Sequence, residues 1–144
     1  MFDSILVVCT GNICRSPIAE RYLRRALPGK TICSAGTGAV VGHGADEAAI
    51  RVASMHGLSL DGHKGQQFNS MLGRQYDLIL VMERTHIEQI DRVSPEARGK
   101  IMLFGHWLGQ KDIPDPYRKS DEAFISVYEL IEKAGQRWVE KLSA

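Results

Sequence analysis

A cysteine followed after five residues by an arginine closes the first apolar run of the chain, in Val7-Val8-Cys9-Thr10-Gly11-Asn12-Ile13-Cys14-Arg15-Ser16-Pro17. Between a strand and a helix, such a segment can do two things. Its backbone N–H groups can wrap a phosphate at the helix N-terminus. The same positive potential favours the anionic form of a thiol, and a thiolate can attack that phosphate. The planar fork of Arg15 matches two phosphoryl oxygens in a way lysine does not. Gly11 permits close backbone approach, and Asn12 tolerates a left-handed backbone better than most residues. Thr10, Ile13 and Cys14 complete the loop. The Ser16 hydroxyl has two possible uses, a hydrogen bond to the thiolate or a cap on the helix, and the sequence leaves both open. Cys-x5-Arg alone is a weak signal. The strand before it, the glycine within it and the Ser-Pro helix start after it make it specific. The plainer alternative is a buried cysteine at a strand end, with Arg15 as surface charge.

A thiolate nucleophile needs an acid for the departing alkoxide. Asp115, in Ile113-Pro114-Asp115-Pro116-Tyr117, is the best candidate. Its flanking prolines stiffen the loop, and Tyr117 offers an aromatic wall. Local sequence alone fits an ordinary Asp-Pro turn at least as well. Cys14 packs beneath the loop, or forms a reversible disulfide with Cys9, or serves as a base. Cys33 reads as core. The five histidines show no paired metal spacing, so no metal site is expected.

These residues need a scaffold. Apolar β-branched residues at 5–8 predict a strand covered on both faces. Residues 17–27 predict a helix with Pro17 at its first position, ended by Pro28-Gly29. Its Arg21, Arg24 and Arg25 read as a solvated face. A strand at 31–35, a glycine-rich loop at 36–44 and a helix at 46–56 follow. The last has Ala49, Ile50, Ala53 and Met55 among its apolar positions. Residues 58–67 read as a connection and 70–75 as a short helix. Strands are expected at 78–82 and 100–104, with a helix at 83–93 between them carrying Ile87 and Ile90 inward. A long polar loop fills 105–120. The last helix, 121–142, repeats Phe124, Val127, Tyr128, Ile131, Ala134, Trp138 and Leu142 at the helical period. Trp107 and Trp138 read as core or interface. Alternating strands and helices imply a single-domain α/β fold: a four-stranded parallel twisted sheet, helices on both faces, and the phosphate-binding loop after the first strand.

With 144 residues, 44% hydrophobic and 24% charged, the chain has the composition of one soluble domain. Eighteen basic residues against 17 acidic ones leave +1, which gives no reason to expect nucleic acid as a partner. No run is long enough to span a membrane, and the N-terminus lacks a basic signal-peptide start. Three cysteines do not suggest a disulfide framework. A cytoplasmic monomer is expected.

The stretch from Val8 to Pro17, paired with Asp115-Pro116-Tyr117, resembles the low-molecular-weight protein tyrosine phosphatases. The likeness extends through Ser34-Ala35-Gly36, His56-Gly57-Leu58, Tyr76-Asp77-Leu78-Ile79-Leu80 and the final helix, so it covers essentially the whole chain. The resemblance implies Cys9 as nucleophile, Arg15 as phosphoryl clamp, and Asp115 as acid and then as base for the hydrolytic water. It implies Asn12 and Ser16 as loop holders, with Ser34 and His63 as supports, and no cofactor. Gly38-Ala39-Val40-Val41-Gly42 and Leu103-Phe104-Gly105-His106-Trp107 look most like bacterial members that act on autophosphorylating tyrosine kinases of capsule and exopolysaccharide export. A phosphotyrosine protein, the domain or tail of such a kinase, is the implied partner, with Val40 a small aliphatic wall at the entrance. Gly65-Gln66 departs from the Ala-Arg of many members and puts the support contacts of that segment in question. Thioredoxin-coupled arsenate reductases share the loop but need two further cysteines, and none follows Cys33. A phosphocysteine carrier would not need Arg15 or Asp115.

Overall fold

The computed structural model describes residues 2–143. Four parallel strands form one sheet in the order β2-β1-β3-β4: β1 Ser4–Cys9, β2 Thr31–Gly36, β3 Leu78–Val81 and β4 Ile101–Leu103. The register runs Val8 beside Ala35 on one flank and Val8 beside Val81 on the other. β1 is central, so both of its faces must be covered, and Ile5 to Val8 are fully buried.

The alternation of β1 sorts the core into two layers. Ile5, Val7 and Cys9 point to one face, where they join α1 Arg15–Ala26, α2 Glu47–Met55 and α5 Asp121–Leu142. Leu6 and Val8 point to the other, joined by Tyr76, Ile90 and Ala97 from the region of α3 Ser70–Gln75 and α4 Arg84–Val93. The expected architecture of helices on both faces is therefore present. The chain leaves β1 for β2 on one side, then returns past β1 to β3. This reversal opens a crevice beyond the carboxyl end of β1, where an open α/β sheet places its ligands.

Local details differ from the sequence reading, each for a physical reason. α1 begins at Arg15, not Pro17, and Pro17 is its third residue. Pro is tolerated there because the first N–H groups of a helix have no partner within it. Cys14 occupies the N-cap position without a side-chain cap, since a thiol is a weak acceptor, and Ser16 lies inside the helix with its hydroxyl beside Cys9. β3 ends at Val81, and β4 is only three residues, entered from a 3₁₀ turn at Pro95–Lys100. The expected loop after residue 105 contains a 3₁₀ turn, His106–Leu108. α2 buries Ala49, Val52 and Ala53, while Ile50 and Met55 are exposed. Ile87 is only half-buried. Trp138 is core and donates from Nε1 to the Phe104 carbonyl at 2.8 Å, whereas Trp107 is partly exposed. Cys33, expected in the core, is half-buried.

The arginines of α1 do not simply face solvent. Arg21 Nε lies 2.9 Å from Glu20 Oε2, and Arg24 Nη1 lies 3.5 Å from the same oxygen. Glu20 is buried, so it needs such donors.

The end of β2 seats the loop after β1. Gly36 N–H donates to the Gln66 carbonyl at 2.9 Å, and a Cβ on Gly36 would stand 2.3 Å from the Thr10 carbonyl oxygen. Gly36→Ala is expected to force strand and loop apart, lowering stability in urea denaturation by about 2 kcal/mol.

Candidate active site

Between Cys9 at the end of β1 and Arg15 at the start of α1, the backbone turns around a cleft of about 220 Å³. Cys9, Thr10, Gly11, Ile13, Cys14, Arg15, Gly38, Val40, Asp115 and Tyr117 line it. Cys9 is 2% exposed at the base. Val40 and Tyr117 are each 42% exposed at the rim. Asp115, from the loop before α5, reaches Arg15 Nη2 at 3.7 Å.

Asn12 is buried with φ +60°, a conformation Asn adopts at small cost. Four contacts keep it there. His63 Nε2–H donates to its carbonyl at 2.5 Å. The Gln66 N–H donates to its Oδ1 at 2.9 Å. Its Nδ2 donates to Ser16 Oγ at 2.7 Å and to Ser34 Oγ at 3.0 Å. Ser16 Oγ lies 2.9 Å from Cys9 Sγ, so the hydroxyl left open by the sequence serves the sulfur rather than the helix cap.

The Gly65-Gln66 departure keeps the loop supported. Besides the Gln66 N–H, its Nε2 donates to the Ser34 carbonyl at 2.9 Å. Gly65 accepts the Gly42 N–H at 2.9 Å and donates to the His43 carbonyl at 2.9 Å. A Cβ at position 65 would stand 2.4 Å from the Val40 carbonyl oxygen. The glycine therefore lets the segment carrying Val40 lie close, and an alanine would push it outward.

Arg15 is 1% exposed, and a guanidinium does not give up its proton. Its Nη1 is bound by the Glu83 carboxylate and by the Ile113 carbonyl, the latter at 2.8 Å. Its Nη2 reaches Thr10 Oγ1 at 3.4 Å. Nη1 is thus fully used, and Nε and Nη2 remain as the fork for an oxyanion.

Glu83 and His86 are site residues that sequence reasoning missed. Glu83 is the N-cap of α4 and forms a reciprocal capping pair with His86. The Glu83 N–H donates to His86 Nδ1 at 3.1 Å, so the ring proton lies on Nε2 and is donated to Thr10 Oγ1, 2.9 Å away. The only signal available was a carboxylate and a histidine three apart at a helix start, which reads as a cap.

Two titrating groups around the cleft are displaced. Burial, with Asp46 and Cys9 nearby, pushes the Cys14 thiol up, so it stays protonated and is a poor base. Burial first, then the Arg15 guanidinium, push His86 down from 6.5 to about 4. No group of three or more His, Cys, Asp or Glu side chains among the described residues is placed to hold a metal ion.

The whole chain is similar to known proteins. The family model of the low molecular weight phosphotyrosine protein phosphatases matches residues 4–144. The Escherichia coli K12 protein named low molecular weight protein-tyrosine-phosphatase Etp is 58% identical over 142 residues, covering 99% of this chain and 96% of Etp. The crystal structure of the tyrosine phosphatase Wzb from Escherichia coli K30 with sulphate has TM-score 0.97 and 70% identity, covering 99% of each chain. Vibrio vulnificus Wzb in complex with benzylphosphonate has TM-score 0.97 and 54% identity, covering 99% of this chain and 100% of that one.

His86 has a lower affinity for protons folded than unfolded. Its contribution to stability is therefore present above about pH 6.5 and is lost as pH falls towards 4. In urea titrations the native chain is expected to lose more stability than His86→Gln between about pH 7 and about pH 5.

Proposed function

The chain belongs to the low molecular weight phosphotyrosine protein phosphatase family, and from that premise we propose that it hydrolyses phosphotyrosine through a phosphocysteine at Cys9. One observation carries the reading: a buried cysteine and a buried arginine face one cleft, with a carboxylate 3.7 Å from that arginine at its entrance.

The mechanism follows from the geometry. The phosphate dianion enters the turn of backbone N–H groups, and Arg15 holds two of its oxygens through Nε and Nη2. The Cys9 thiolate, stabilised by the Ser16 hydroxyl, attacks phosphorus in line with the tyrosyl oxygen. The S–P bond forms as the P–O bond breaks. Asp115, protonated, gives its proton to the departing phenolate. As a carboxylate it then takes a proton from water, which attacks phosphorus. The S–P bond breaks, and phosphate and the thiolate are restored. Negative charge gathered on the phosphoryl oxygens meets fixed N–H donors and the guanidinium, so little has to move during either step.

Depth supports an aryl substrate. The sulfur is at the base of the cleft, and the exposed side chains of Val40 and Tyr117 stand at its rim. A phenyl ring spans that depth between two apolar walls, whereas a seryl ester is too short. The benzylphosphonate bound by Vibrio vulnificus Wzb is a ring-bearing phosphonate of the same shape. The protein substrate we propose is the domain or tail of an autophosphorylated bacterial tyrosine kinase controlling capsule or exopolysaccharide production, met in the cytoplasm by a monomer. No cofactor takes part in this scheme. A phosphocysteine carrier is the rival, but Arg15 and Asp115 equip the site for hydrolysis.

The test is p-nitrophenyl phosphate hydrolysis without metal at mildly acidic pH. The native chain is expected to turn over and Cys9→Ser to be inactive. Asp115→Asn is expected to lose roughly 100-fold in kcat with phenyl phosphate and less with p-nitrophenyl phosphate, whose leaving group needs no proton. No turnover by the reduced native chain would contradict the reading.

A further inference from the structure

Behind the nucleophile runs a chain of buried hydrogen bonds, of which the mechanism above uses only the last, from Ser16 to Cys9. It begins at Glu20, on α1, 4% exposed. Ser34 Oγ is 2.7 Å from Glu20 Oε1, Asn12 Nδ2 is 3.0 Å from Ser34 Oγ and 2.7 Å from Ser16 Oγ, and Ser16 Oγ is 2.9 Å from Cys9 Sγ. Asn12, Ser16, Ser34 and Cys9 are all buried, so water does not compete for these groups.

Counting hydrogens gives the chain a direction. An ionised carboxylate only accepts, so Ser34 must give its one hydroxyl hydrogen to Glu20. Ser34 can then only accept from Asn12, which requires the amide nitrogen on that side. The Gln66 N–H on Asn12 Oδ1 demands the same orientation. The second Nδ2 hydrogen goes to Ser16, whose own hydrogen is left for the sulfur. Arg21 and Arg24 hold the other oxygen of Glu20, so Oε1 is the one that faces Ser34.

We propose that Glu20 is a positioning residue for the nucleophile: through Ser34 and Asn12 it turns the Ser16 hydroxyl into a permanent donor to Cys9. The proposal rests on Cys9 being the reacting sulfur. A thiolate accepts and a thiol can donate, so a relay of this polarity favours the anion. It also strengthens along its length, because each donor is polarised by the next acceptor.

The sign of the effect separates this role from a through-space one. Removing a negative charge from the interior would, by Coulomb's law alone, make the thiolate easier to form. Removing the acceptor that sets the relay makes it harder. In Glu20→Gln, Arg21 and Arg24 are donors only and keep the amide oxygen, which turns the amide nitrogen towards Ser34. Ser34 then faces donors from both sides and its grip on Asn12 weakens. The charged and titratable groups of the cleft are Arg15, Cys14, Asp115 and Tyr117, with Glu83 on Arg15, His86 on Thr10, His63 on the Asn12 carbonyl and Asp46 near Cys14. The substitution leaves all of these in place.

The measurement is the rate of Cys9 alkylation by iodoacetamide against pH, located by peptide mass, in native, Glu20→Gln, Ser16→Ala and doubly substituted protein. It reads the thiolate whether or not the chain turns over a phosphate ester, so the phosphatase reading stands or falls separately in a parallel p-nitrophenyl phosphate assay. The midpoint is expected to move to higher pH in Glu20→Gln, with alkylation roughly threefold slower below it. In the Ser16→Ala background, Glu20→Gln is expected to add nothing, since the two act as one unit. An unchanged or lowered midpoint, or a rise that persists in full without Ser16, would overturn the proposal. Ser34→Ala keeps the Glu20 charge and cuts the relay. It is expected to raise the midpoint, and an unchanged midpoint there would overturn the proposal even where Glu20→Gln does not fold.

Discussion

A guanidinium taken out of water costs several kcal/mol unless its hydrogens and its charge are met. Arg15 is almost wholly buried, and meeting that demand organises the molecule. Its Nη1 is held by Glu83, where β3 hands over to α4, and by the Ile113 carbonyl, in the loop that also carries Asp115. Its Nη2 touches Thr10, which His86 holds from α4. Two distant stretches of sequence, at 83–86 and 113–115, therefore converge with the loop of Thr10 on one cation. Each is anchored there before any phosphate arrives, so a phosphate meets donors already aimed.

The base and the rim of the cleft are built differently. At the base, Cys9, Asn12, Arg15 and Ser16 are buried in hydrogen bonds that leave them little freedom. At the rim, Val40 and Tyr117 are exposed and Asp115 is half in solvent. Such a division suits a reaction whose chemistry is invariant while its substrates are protein segments. Charge stabilisation needs rigidity. Admission of a ring, and of the chain bearing it, needs walls at the surface. Gly65 contributes by letting the Val40 segment lie close against its neighbour.

What the sequence disclosed followed from how local each signal was. The phosphate-binding loop is contiguous, and its residue types carry their chemistry in order from Cys9 to Ser16. The strands showed as β-branched runs because β1 and β3 are covered on both faces, and α5 showed through its 3.6-residue repeat. Glu83 and His86 did not show, since their partners lie 68 and 76 residues away and a helix cap explains them equally well in isolation. Ser16 was ambiguous because a cap and a thiol partner call for the same hydroxyl, and only the proximity of Cys9 and Asn12 decides. Arg21 and Arg24 were read as solvated because nothing local marks Glu20 as buried. The burial of Glu20 comes from β2, through Ser34. The 3₁₀ turn at His106–Leu108 was hidden by the glycines on either side of it, Gly105 and Gly109, which read as loop.

The central claim is that the cysteine at the base of the cleft takes up the phosphoryl group. It is tested most directly by rapid acid-free quenching of the enzyme during turnover of an aryl phosphate, followed by peptide mass analysis. The account predicts one added phosphoryl group on the peptide containing Cys9, formed with release of the phenol and lost with release of phosphate. A phosphoryl group on another residue, or hydrolysis that continues in Cys9→Ser with no phosphoenzyme formed, would contradict it.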